Sequence, residues 1–210
     1  SPADLVDRFY DLAQAHGLAL VVDETYRDFD SRTGAPHDLL TRPGWDRVLV
    51  QLYSFSKAYR LTGHRVGAMV AGHDRLAQVE KFLDTVAISP AQLGQIGAVW
   101  GMANLQEWLA GERAEILARR AAAASALGAL DGWHLKSAGA YFAWLEHPFA
   151  EGSADLARRM VRDAGVLALP GTMFTPADDP TGPRHVRIAF ANVDAAGISV
   201  LAGRLAVLSV

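Results

Sequence analysis

Lys57 sits in the stretch Ser54-Phe55-Ser56-Lys57-Ala58-Tyr59-Arg60, where no acid stands by to pair with it. The chain carries three lysines against seventeen arginines, so an amine at this place calls for a reason. An amine that is desolvated, or set beside another cation, loses its proton and attacks carbonyls. Lys57 is therefore a candidate for covalent work. Asp23 follows the apolar run Leu18 to Val22, which is fit for a buried parallel strand. The carboxyl ends of such strands are where open α/β sheets bind their ligands. Tyr26 comes three residues later. Eight residues beyond the lysine stands Arg65, whose planar fork suits phosphate oxygens, and three before it stands Ser54, a neutral donor. Ser56 is read as shaping the turn. Near the other end, Arg187 lies within the strand-like run Arg184 to Phe190. An unpaired charge buried there is costly, and one of the chain's own acids would satisfy it. Arg184 and His185 precede the apolar part of the run and are expected to be solvated.

Together, Asp23-x-x-Tyr26, Ser54, Lys57, Gly63, Arg65 and Gly67 resemble the Schiff-base lysine segment of the pyridoxal-phosphate aminotransferases, class I/II, of the fold-type I superfamily. The resemblance implies that Lys57 holds pyridoxal 5′-phosphate and shuttles the substrate's proton. It implies further that Asp23 pairs with the ring nitrogen, Tyr26 with the phenolic oxygen, and Ser54 and Arg65 with the phosphate. Arg187 would hold the substrate's α-carboxylate. Gly139-Ala140-Tyr141-Phe142 and Gly165 to Gly171 with Phe174 recur at similar spacing in the family and are read as fixing the alignment while carrying little chemistry. The activity implied is transamination between an amino acid and a 2-oxo acid, by a cytoplasmic homodimer. Two alternatives stay open. One is another carbanion reaction of the same cofactor, such as a β-lyase, decarboxylase or synthase. The other is the aminotransferase-like effector domain of a transcriptional regulator. The family's Asn-Pro-x-x-Gly segment, phosphate loop and ring-stacking aromatic usually precede the first helix and are not in these residues. The expectation is thus the C-terminal half of such a chain, holding cofactor weakly by itself.

Other classes recede on composition. A formal charge of −3 over 210 residues and a pI near 6.1 give no basic footprint for nucleic acid. Cysteine is absent and the seven histidines show no metal-ligand spacing, so no metal site is expected. No Walker or dinucleotide glycine loop occurs. The uncharged stretch from Thr85 to Gln106 contains Pro90 and is read as a buried or interface helical region rather than a membrane span.

The elements that must position these residues follow from pattern. Ser1 as cap, Pro2 in the first turn and Asp4 on the dipole open a helix to His16, with Leu5, Phe9 and Leu12 on one face. Strands are expected at Leu18–Val22, Arg47–Tyr53 and Arg65–Ala71, the last antiparallel to its predecessor, with Val66 to Val70 buried on both faces. Helices are expected at His73–Ala87 and Ala91–Ala110, with a boundary at Gly111. The fold class expected is α/β. Residues 1–111 would be part of the large cofactor-binding domain with a mostly parallel sheet, and 112–210 a smaller α+β domain.

Overall fold

The computed structural model describes residues 2–32 and 34–208. Ser1, expected to cap the first helix, lies outside them. The chain divides into two compact units, Ser1–Glu112 and Arg113–Val210.

In the first unit, helix α1 (Ala3–Ala15) leads to strand β1 (Leu20–Asp23). A long connection follows before β2 (Leu49–Ser54) and β3 (Gly67–Val70). The sheet order is β1-β2-β3, the first pair parallel and the second antiparallel. The core beneath it joins Tyr10, Ala13, Leu39, Val48 and Leu49. The inward face of α1 is thus Tyr10 and Ala13, while Leu5, Phe9 and Leu12 point outward. Arg42 explains the choice. Its guanidinium lies over the Tyr10 ring and pairs with Asp7 at 2.8 Å and Asp11 at 3.1 Å, which turns that side of the helix toward the connection.

β3 departs from expectation. All four of its residues are exposed, because one edge pairs with β2 and no described element covers its faces. Helices α2 (His73–Val86) and α3 (Gln92–Asn104) follow, and α4 (Gln106–Gly128) begins after a break at Leu105. Gly111, read as the domain boundary, lies one residue before the division between the two units, but within α4 rather than after a helix end. A helical glycine costs about 1 kcal/mol against alanine, too little to end a helix of 23 residues rich in alanine, glutamate and arginine.

The second unit packs an antiparallel sheet of order β4-β5-β7-β6 against helices. The strands are β4 (His134–Gly139), β5 (Phe142–Glu146), β6 (Leu169–Pro170) and β7 (His185–Ala189). α5 (Ser153–Arg159) runs into a wider π turn, and α6 (Ala195–Ala206) is capped by Asp194 accepting from Gly197 N–H. Strand alternation sends Ala143, Leu145, Val186 and Ile188 into a core with Leu127, Leu156, Met160, Phe190, Ile198 and Leu205. Among the described residues no helix is long and apolar enough to cross a membrane.

Candidate active site

Parallel pairing places Asp23 opposite Leu52, and antiparallel pairing places Ser54 opposite Gly67. The carboxyl ends of β1 and β2 and the start of β3 therefore share one end of the sheet. Asp23, Tyr26, Ser54, Lys57 and Arg65 all come there. Asp23 closes β1 and turns one carboxylate oxygen onto the Thr25 N–H at 2.9 Å, leaving Oδ2 without a partner among the described residues. Tyr26 caps the short 3-10 segment Arg27–Phe29.

Beyond β2 the chain folds back tightly. Ser54 Oγ accepts from Ser56 N–H at 3.2 Å, and Thr62 Oγ1 donates to Ser56 O at 2.8 Å. Half-buried Lys57 lies between buried Ser56 and Ala58, and its side-chain amine has no hydrogen-bond or ion-pair partner among the described residues. Arg65 holds a left-handed backbone, φ 51°, a conformation non-glycine residues seldom keep without local restraint. Its guanidinium donates to Thr62 O at 2.8 Å and, at 3.4 Å, to Ser56 Oγ. Gly67 is required next to it: a Cβ there would lie 2.8 Å from Tyr53 O.

Two devices brace this end of the sheet. Glu24, only 6% exposed, takes hydrogen bonds from buried Gln51 on β2 and from Arg27, and His37 Nε2 lies 2.9 Å from its other oxygen. His37 Nδ1 accepts from Leu39 N–H, and Nε2 lies near the carboxylate without a hydrogen bond to it. Beside them Tyr53 donates to Asp28 at 2.6 Å, tying the turn of Tyr26 to β2. Burial and that hydrogen bond push the Tyr53 hydroxyl well above its ordinary range. The second device is α3. Its small residues Gly94, Ala98 and Gly101 are buried, and Cβ atoms on the two glycines would meet His64 O and Tyr59 Cδ1 at 2.9 Å. The helix thus lies directly on the segment that carries Lys57 and Arg65.

Arg187 belongs to the second unit. Alternation puts it on the face of β7 opposite the core, so it avoids the burial its apolar neighbours suggested. Its Cζ lies over the Phe142 ring at 4.4 Å and the Phe174 ring at 3.9 Å, and no acid among the described residues pairs with it. His185 is not solvated: it is buried and stacks on Trp144 at 5.2 Å. The sequence reading missed the Glu24–His37–Gln51 cluster and the aromatic contacts of Arg187. A glutamine inside the apolar run of β2 signalled the first. Phe142 and Phe174 had been read as alignment markers, because pairing between strands distant in sequence cannot be seen from spacing.

The donor set of the first unit suits pyridoxal phosphate. An unpartnered amine fits its aldehyde, a carboxylate with a free oxygen fits its ring nitrogen, and the hydroxyl of Ser54 with the Arg65 fork fits its phosphate. No group of three or more metal-ligating side chains occurs among the described residues.

Comparison with known proteins gives the same direction. The chain is 28% identical over 177 residues to the LL-diaminopimelate aminotransferase of Nitratidesulfovibrio vulgaris, covering 83% of this chain and 44% of that one. It is 30% identical over 189 residues to the aromatic amino acid aminotransferase of Mycobacterium tuberculosis, covering 88% and 52%. The solved aromatic aminotransferase of Pyrococcus horikoshii superposes with a TM-score of 0.82 at 23% identity, over 95% of this chain and 53% of that one, a likeness of fold. The chain spans about half the length of the curated relatives it matches. The family model described as aminotransferase class I and II matches residues 1–205. With that match over nearly its whole length, the chain belongs to the class I and II aminotransferases, whose members use pyridoxal phosphate.

Proposed function

We propose that the chain carries the cofactor lysine and substrate-carboxylate arginine of an enzyme moving an amino group between an amino acid and a 2-oxo acid. Residues 1–112 are assigned to its large cofactor-binding domain and 113–210 to its small domain. The observation that carries this reading is the register Asp23 to Leu52, which brings a carboxylate with a free oxygen and an unpartnered lysine amine to one sheet end. When bound, pyridoxal phosphate supplies a ring that absorbs the electron pair released at the substrate's Cα. The Lys57 amine would take the proton from that Cα as a general base and deliver it as a general acid to the cofactor carbon that then keeps the amino group. Asp23 keeps the ring nitrogen protonated, and Tyr26 donates to the phenolic oxygen. Ser54 and Arg65 hold the phosphate, and Arg187 holds the α-carboxylate so that the breaking bond is oriented. The same reading includes a cytoplasmic homodimer. The outward face of α3 supports the dimer, since it presents Leu93, Ile96, Val99 and Trp100 from a helix without a charged residue.

The test is chemical. The protein loaded with pyridoxal phosphate and reduced with borohydride should yield, on digestion, one labelled peptide bearing the modification at Lys57. A label on Lys81 or Lys136 removes the assignment.

A further inference from the structure

Arg187 is a cation without an acid, and the reason lies in its sheet face. Trp144 stands opposite it in register, and Phe142 is the next residue of β5 on the same face. The acid of that face is Glu146, which is already taken by Lys136 at 2.8 Å and Arg184 at 3.0 Å. Hydrogen bonds from these two cations hold its carboxyl down to about 2, so it stays ionised and engaged. What meets the Arg187 guanidinium instead is ring: Phe174 at 3.9 Å and Phe142 at 4.4 Å. Phe174 is itself held edge-on by Trp144, centroids 6.0 Å apart, and Trp144 is stacked on His185. A guanidinium carries its N–H donors in its plane, while an aromatic ring attracts it through the face. Ring contacts therefore restrain the group without using its donors, which an acid partner would consume.

We propose that Phe142 and Phe174 are positioning residues that hold the Arg187 fork with its donors open to a carboxylate ligand. The inference rests on the carboxylate-binding role given to Arg187 above, and the experiment separates the two. In the cofactor-loaded protein, KM and kcat for the amino acid are measured alongside the calorimetric Kd of propionate, a bare carboxylate probe. Phe174→Leu and Phe142→Leu should each raise KM and the propionate Kd about two- to fivefold, the worth of one cation–π contact, with kcat held within about twofold. Phe174→Tyr, which keeps the ring face, should stay at the wild-type values. Phe174 is 41% exposed, so its truncation does not open the core, and an unchanged Tm of the variant checks this. Leucine variants with unchanged KM and Kd, while Arg187→Lys raises both, would overturn the positioning role alone. Tyrosine and leucine variants impaired alike would overturn it as well, since volume rather than the ring face would then matter. If Arg187→Lys leaves KM and Kd unchanged, the carboxylate role falls and the positioning role with it.

Discussion

Removing the Glu24 carboxylate would leave the Gln51 amide and the Arg27 guanidinium without the acceptor they share, and His37 without its neighbouring acid. Glu24 and Gln51 are 6% and 5% exposed, so water cannot readily replace the lost partner. Breaking a buried, charged cluster by deleting one member costs about 3–5 kcal/mol, because the remaining polar groups stay desolvated. Glu24→Ala should therefore lower unfolding stability by about 3 kcal/mol in urea titration. It should also weaken cofactor binding, because Asp23 and Tyr26 flank the residue on the same turn. A change within about 0.5 kcal/mol, the size of an ordinary surface substitution, would show that the cluster braces nothing. Asp23 and Lys57 could be singled out as candidates from their types and spacing. Glu24 was not, because an acid beside another acid carries no mark of which one turns inward.

Helix α3 acts through what it lacks. Its glycines let the backbone approach the Lys57–Arg65 segment, and the contacts rank them. A Cβ on Gly94 would lie 2.9 Å from the His64 backbone oxygen, whereas one on Gly97 would meet only Leu61 methyl groups at 3.8 Å. Alanine is the better helix former by about 1 kcal/mol at both places, so the neighbours decide the sign. Gly97→Ala should stabilise the protein by about 0.5–1 kcal/mol. Gly94→Ala should instead destabilise it by about 1 kcal/mol, and weaken cofactor retention, as the carbonyl is forced to move. Urea unfolding of both variants checks the contrast, and equal effects would mean that α3 is free to slide. The uncharged stretch was visible in the sequence as something buried or interfacial. Which of its faces was which followed only from the packing of Gly94, Ala98 and Gly101.

The proposed homodimer places the opposite face of α3 against a second copy. Leu93 is 75% exposed and Trp100 57%, and Phe82, Val86 and Ile88 on α2 and its exit are exposed too. Exposed apolar residues in such number favour an interaction site. Trp100→Glu would bury a charge in the interface and should shift sedimentation from dimer to monomer at micromolar concentration, with far-UV circular dichroism unchanged. A wild-type protein that sediments as a monomer would end the dimer assignment.

Types and intervals along the chain were enough to carry the family resemblance that implied the chemistry. An amine amid small residues, an acid after an apolar run and a guanidinium eight positions past the lysine are local facts. The secondary structure flanking them repeats with local periods, so the strands and most helices could be read as well. Three features needed the folded chain. β3 proved exposed, although its apolar residues suggested burial, because burial depends on what covers a strand. Gly111 proved internal to a helix, because one unfavourable residue is outweighed by its neighbours. The surroundings of Arg187 proved aromatic, because Phe142, Phe174 and Arg187 meet only when β5 and β7 pair in register. Cross-strand contacts between residues dozens of positions apart have no period along the sequence, and they are what decides whether a cation within a strand meets an acid or aromatic rings.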